Sequence, residues 1–457
     1  MSTPNPTQPS KRVVQQGTLF ESPEDAAVSQ GAAEVPSAGT PRVKRANRQQ
    51  MECLPYALEE LLPQEHEARV VWEYVEGLDL TLLYAEIRAV ERHAGRTAID
   101  PKILLALWLY ATLRGVGSAR ELERLCAQHL AYRWICGGVS VNYHTLSDFR
   151  TDHGDFLDKL LTESVATLMH EGLVDMERVA QDGMRVRASA GAASFRRRET
   201  LEACLAEAEE QLRKLRAELE ADPQATTKRQ KAARERAARE RSERVKQALE
   251  KLPEIEARKK AGEKDKARAS TTEADATVMK MGDGGYRPAY NVQFATDTAT
   301  QIITGVDAVT SGGDQGQLAP MVDQHEQRYE QVPAAMLVDG GFAKKEDIDQ
   351  VTEGGTKVYA PVQKSKDPQR DAHTPRPDDS PAVAEWRVRM GTAEAKEIYK
   401  ERAATAECVN AIARNRGLQQ FRVRGLLKVR AIALLYALVH NLMRAVALRA
   451  AAVAAVA

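Results

Sequence analysis

Between Leu201 and Leu219 the apolar residues Leu201, Leu205, Ala208, Leu212, Leu215 and Leu219 step by four, three, four, three and four. That is a heptad seam, the mark of a helix that lays a narrow apolar stripe on a partner helix. Asp222-Pro223 breaks it, and a second run follows with Val245, Ala248, Leu252 and Ile255. Residues 195–269 therefore predict an antiparallel helical hairpin with Pro223 at its tip. Its dense mixture of Lys, Arg and Glu reads as a solvated face. With both signs mixed, it suits protein contact better than a DNA clamp.

The segments on either side differ in character. The chain has 457 residues, enough for two or three domains. Hydrophobic residues make up 43% and aromatic ones 5%, so the core must consist mainly of Leu, Val, Ile and Ala. Residues 1–50 are rich in Pro, Ser, Gln and Ala and predict a disordered tail, with a basic stretch at Arg42–Arg48. Residues 51–176 follow a helical pattern. Asp100-Pro101 starts one helix, Ser118-Ala-Arg-Glu121 forms a capping box, and Thr145-Leu-Ser-Asp148 predicts a third start. Phe156, Leu160, Leu161 and Leu168 form a further amphipathic run. Short helices joined by Gly-containing turns suit a helix-turn-helix module, and equally any small helical bundle.

From Arg178 onward strand signals take over. Val179–Asp182 predicts a strand closed by Asp182, and Ala289–Ala295 and Gln301–Thr310 a hairpin turning at Asp297–Ala299. Ala335–Val338 predicts a buried strand ending at Asp339, and Lys357–Val362 another. A long helix is expected across Ala393–Arg414. The closing stretch Ala431–Ala457 is apolar enough to resemble a membrane span. His440, Asn441, Arg444 and Arg449 interrupt it, so a soluble helix is expected instead.

The 65 basic and 65 acidic residues cancel, so any nucleic-acid reading rests on where charge sits, not on its total. One local excess stands out: Arg414, Arg416, Arg422, Arg424, Lys428 and Arg430 occur in a stretch with no acid. This strip is expected to lie along DNA phosphates. Five dispersed cysteines without a C-x-x-C pair argue against a disulfide framework and suit a reducing cytoplasm. The N-terminus has no signal pattern.

Asp182 and Asp339 at strand ends and Glu407 on the late helix are candidate ligands for two divalent cations about 3.5–4 Å apart. Strand-end acids are also ordinary turn residues. On a wheel at about 100° per residue with Tyr399 at zero, Arg402 falls near −60°, Arg414 near +60° and Glu407 near +80°. Glu407 and Arg414 then share a face, with Tyr399 beside them and Arg402 on the other flank. An acid for metal next to arginines for phosphate suits a phosphodiester site. Trp386 is expected in the core, although stacking on a flipped base would also suit it.

Tyr399-Lys-Glu-Arg402, Glu407 and Arg414 together resemble the Y-R-E-K signature of bacterial insertion-sequence transposases of the DDE type. Ala180-Gln-Asp-Gly183 and Leu337-Val-Asp-Gly-Gly-Phe342 resemble that family's first-acid and second-acid motifs. Ser270–Ala276, Gly285–Gln293, His144–Arg150, Arg424-Gly425, Lys428 and Asn441 agree with it as well. There are departures: Arg stands at 414 in place of Lys, four residues separate Arg402 from Glu407 instead of three, and Glu273-Ala274 replaces Asp-Pro, which should affect only a turn.

The resemblance implies an α/β fold: an RNase H-like mixed sheet flanked by helices (177–194 and 270–430), with an N-terminal all-α DNA-binding domain (51–176), an inserted helical hairpin (195–269) and a C-terminal Ala-rich helix (431–457). It implies a transposase that binds the terminal inverted repeats of its element, cuts a strand and joins the freed end to target DNA. Asp182, Asp339 and Glu407 would hold two Mg²⁺ ions, or Mn²⁺ in their place. Tyr399, Arg402, Arg414, Arg422 and Arg424 would contact phosphates. A homodimer assembled on double-stranded DNA in the bacterial cytoplasm, associated with the nucleoid and away from membranes, is expected. The rival readings are an RNase H-fold nuclease that never joins strands and an inactive DNA-binding regulator derived from a transposase.

Overall fold

The computed structural model describes residues 57–88, 97–221, 228–259, 261–364 and 371–456. The expected tail, its basic Arg42–Arg48 stretch and the Pro223 tip lie outside these residues. The first region is helical: α1 (Glu67–Glu76), α2 (Thr81–Ala85), α3 (Pro101–Leu113), α4 (Ala119–Gln128), α5 (Leu130–Cys136), α6 (Tyr143–Asp152) and α7 (Gly154–His170). The caps follow the sequence. Asp100 accepts from the Lys102 N–H at 2.8 Å with Pro101 in the first turn, and Ser118 accepts from the Glu121 N–H at 3.4 Å. The third start is corrected. Asn142, not Thr145, caps α6, because its amide oxygen takes the Thr145 N–H at 3.0 Å. α3 is apolar all round and correspondingly buried all round. Its Trp108 indole donates to the Leu146 carbonyl at 2.8 Å, locking α3 to α6.

β1 (Arg178–Arg187) follows, then a short β2 (Phe195–Arg196) that enters the insert. The insert consists of α8 (Arg198–Ala221) and α9 (Lys228–Ala257) and closes through β3 (Ala269–Ser270), antiparallel to β2. Ion pairs Arg198–Glu256, Glu207–Arg241 and Arg216–Glu235 run in opposite order along the two helices, as an antiparallel pair requires. Leu201, Val245, Ala248, Leu252, Ala267 and Ala269 form a small core of the insert's own.

The main sheet adds β4 (Thr277–Lys280), β5 (Tyr286–Asp297), β6 (Ile303–Val309), β7 (Ala335–Leu337) and β8 (Lys357–Tyr359). The order is β4-β5-β1-β7-β8, with β6 also paired to β5. β1, β5 and β6 are antiparallel to one another in turn, whereas β7 and β8 run parallel to β1. The helices α10 (Leu318–Tyr329) and α11 (Lys345–Glu353) make the crossovers that parallel strands need. The result is a mixed sheet flanked by helices, consistent with an RNase H-like domain. Two readings are revised. β1 does not stop at Asp182, because the twelve-residue β5 pairs with it as far as Arg187. Glu273 is more than a turn residue: it is buried, accepts from the Tyr290 hydroxyl at 2.7 Å and from the Gly425 N–H at 3.2 Å, and ties β5 to the closing segment.

α12 (Pro381–Gly391), α13 (Ala393–Arg402) and α14 (Cys408–Asn415) follow, with the late acid Glu407 in the segment that joins α13 to α14. α15 (Leu426–Val456) closes the fold and starts five residues before the expected Ala431. Trp386 on α12 is buried and donates to the Ala360 carbonyl at 3.1 Å, so it is a core residue. By length and composition α15 could cross a membrane, but 67% of its most apolar stretch is buried against α3, α6, α7 and β6. The residues that interrupt its apolar run are those that dock it. Asn441 donates to the Ile303 carbonyl at 2.7 Å and accepts the Ile303 N–H at 2.8 Å, His440 donates to the Gln301 carbonyl at 2.7 Å, and Arg444 donates to the Thr300 carbonyl. α15 thereby joins the N-terminal helices and the sheet in one continuous apolar core.

Candidate active site

Strand register sets the first two acids. Ala180 on β1 pairs with Leu337 on parallel β7. Asp182 and Asp339 each come two residues later and stand at the same level on adjacent strands. Asp182 accepts from the Arg402 guanidinium at 2.9 Å through Oδ1 and from the Asn410 amide at 2.9 Å through Oδ2. Burial pushes its carboxyl above the usual range; Arg402 opposes the shift and Asp339 adds to it. Asp339 accepts from the Gly341 N–H at 2.6 Å. A Cβ at 341 would stand 2.8 Å from that carboxylate oxygen, so a larger residue there would displace the Asp339 side chain.

Local helix geometry sets the third acid. Ala403–Glu407 forms a π turn between α13 and α14. A π turn accommodates one extra residue, which is the excess spacing between Arg402 and Glu407. In an unbroken α-helix these residues would face about 140° apart. Here Nη1 of Arg402 lies 3.8 Å from Glu407 while Nη2 holds Asp182, so the guanidinium bridges the two acids. The expected placement of Arg402 on the opposite flank is therefore corrected. Tyr399, half-buried one turn earlier, feels all three acids; burial raises its hydroxyl pKa, with Arg402 opposing. Arg414 is exposed two turns beyond Glu407 and forms no ion pair among the described residues.

Among the described residues, no three His, Cys, Asp or Glu side chains are close enough together to form a ready metal cage. The donor set nonetheless fits a hard divalent cation. It consists of carboxylate oxygens, the part-buried Asp182 is desolvated enough to raise its pKa, and a guanidinium already supplies positive charge between Asp182 and Glu407.

The expected basic strip does not run as one surface. Phe421 and Val423 turn inward, so Arg422 and Arg424 point outward on the same extended stretch. Arg422 lines a cleft against the N-terminal helices, and Arg424 lines a hollow at the base of the insert with Arg196, Arg241 and Arg244. Arg430 is engaged by Asp158 at 3.3 Å. Neither Arg422 nor Arg424 joins the acids.

Residues 56–152 match the transposase domain family DUF772, and residues 266–442 match the transposase DDE domain. The chain belongs to the DDE transposases of insertion sequences. In this transposase Asp339 and Glu407 lie inside the matched DDE segment, while Asp182 lies between the two matches. No curated protein and no solved structure matches the transposase.

Two residues of the site escaped the sequence reading. Asn410 is buried on α14 and holds the second oxygen of Asp182. Its position three residues after Glu407, on the same helical face, was the available signal. Asp314 lies in a loop and is buried across β1 from Asp182. It accepts from Asn291 at 2.7 Å, Gln293 at 3.0 Å and Arg185 at 3.0 Å. A Cβ on Gly183 would come within 2.1 Å of it, which explains the glycine after Asp182. Nothing in the sequence pattern marked this loop.

Proposed function

We propose that this transposase binds the terminal inverted repeats of its element through the helices of residues 51–176, cleaves a DNA strand with divalent metal, and joins the freed end to target DNA. The observation that supports this reading is the register-matched pair Asp182 and Asp339, with Glu407 3.8 Å from the Arg402 guanidinium that also holds Asp182. Asp182, Asp339 and Glu407 would hold the cations. Bound there, two Mg²⁺ ions would supply activation of the attacking oxygen and stabilisation of the leaving one.

The protein's own groups do the rest. Asn410 and Arg402 fix the rotamer of Asp182. Arg402 favours the charged form of the part-buried Asp182, and its guanidinium would also suit a phosphate oxygen. Tyr399 and Arg414 flank the acids and orient the scissile phosphodiester, Arg414 through its guanidinium fork. A homodimer assembled on the DNA completes the proposal.

The test uses the full chain and a plasmid carrying the element's own ends. Asp182→Asn, Asp339→Asn and Glu407→Gln each remove a charge and little bulk, so each should abolish cleavage while end binding in a mobility-shift assay persists. Cleavage that survives in any one variant removes that acid from the site. Supplying pre-cut ends should yield joined product. Cleavage without joining would make the protein a nuclease.

A further inference from the structure

A cleft of about 540 Å³ opens between the N-terminal helices and the closing segment of the DDE region. Trp108, the turn Gly115–Gly117, Arg150, Arg187, Arg422 and Tyr436 line it, and no carboxylate does. Arg150 is the unusual member, with only 6% of its surface exposed. Its Nη1 donates to the Gly117 carbonyl at 2.6 Å and its guanidinium lies 4.5 Å from the centre of the Trp108 ring, yet its Nε has no partner. Arg422 is close enough to disfavour its charge, and its side chain passes beside Gly117. A buried guanidinium facing a second one, with no acid nearby, is costly unless an anion completes it.

We propose that this cleft takes one backbone phosphate of bound DNA, gripped jointly by Arg150 and Arg422. The inference rests on the transposase reading and adds to it a fixed anchor remote from the acids. Arg187, which lines the cleft, lies five residues beyond Asp182 on β1. At about 3.4 Å per residue the anchor is roughly 17 Å from the acids along the strand. That length is about five base-pair rises of a duplex. The phosphate would thus bridge the N-terminal helices and the sheet and hold the DNA at a set distance from the candidate active site.

The test measures binding of the full chain to a labelled duplex of random sequence across a salt series, for wild type, Arg150→Met, Arg422→Ala and the double variant. Losing one phosphate contact flattens the log-affinity against log-salt slope by about 0.9. Because both arginines hold the same phosphate, each single variant should lose that amount and the double variant no more. Arg422 is exposed, so Arg422→Ala carries the test should Arg150→Met fail to fold. Unchanged slopes, or a double variant that loses twice the single amount, would overturn the shared site. Stabilisation of wild type by inorganic phosphate with no change in any DNA slope would also overturn it and make the cleft a free-phosphate site. If the wild type binds no duplex at all, the DNA-binding reading itself falls and this site with it.

Discussion

Arg402 is the residue on which the candidate site turns. It pairs with Asp182 at 2.9 Å and reaches toward Glu407, occupying the position between two acids that a cation would prefer. Replacing it by Gln takes the guanidinium from the part-buried Asp182 and leaves the Asn410 amide and the Gly183 N–H as its partners. The metal-free protein should lose roughly 1.5–3 kcal/mol, the usual worth of a hydrogen bond to a charged group. Mg²⁺ should then stabilise Arg402→Gln more than wild type, because no guanidinium competes for the carboxylate. Thermal melts with and without Mg²⁺ measure this. A Tm gain equal to or smaller than that of wild type would show that Arg402 does not stand in for the cation.

At the scale of elements, the π turn at Ala403–Glu407 reconciles an odd spacing with the approach of Arg402 to Glu407. Deleting Ala403 removes the extra residue. Arg402 and Glu407 then fall four apart on an ordinary α-helix and still share a face. Cleavage should therefore persist in that variant. Inserting one further alanine rotates Glu407 by about 100° relative to Arg402 and should abolish cleavage. Strand-cleavage assays on the two variants check the pair of outcomes, and loss of activity in both would mean that the π turn itself is needed.

At the scale of the whole molecule, α15 binds helices and sheet into one core, and its buried polar groups make that core sensitive to acid. Burial depresses His440 and His325 to about 4, so both are neutral in the folded protein. A depressed histidine contributes stability that is complete above its unfolded value near 6.5 and is lost as pH falls toward 4. Each contributes about 3 kcal/mol over that window. The buried acids Glu273 and Asp297 and the part-buried Asp182 and Asp307, all raised by desolvation, act in the opposite sense. Comparing wild type with His440→Gln cancels them, since Gln still donates to the Gln301 carbonyl. The stability difference between the two proteins should move by about 3 kcal/mol in favour of the variant between pH 6.5 and 4. Urea denaturation across that range measures it, and a flat difference would mean that His440 is not kept neutral by burial.

Local patterns in the sequence were enough for the helix caps at Asp100 and Ser118, the heptad hairpin and the strand identities, because each depends on neighbours a few residues away. Only the tertiary structure decided the rest. Asp182 meets Asp339 because a parallel ladder aligns residues far apart in the chain. Arg402 meets Glu407 because a π turn breaks the uniform period that a helical wheel assumes. Asn410 and Asp314 matter through partners on other elements. The apolar closing helix is a core helix because β6 and three N-terminal helices cover it, and the basic strip divides because Arg422 faces a cleft against the N-terminal helices while Arg424 faces a hollow at the insert. Apart from the π turn, which is local, the deciding interaction joins residues distant in sequence, and one-dimensional spacing carries no record of it.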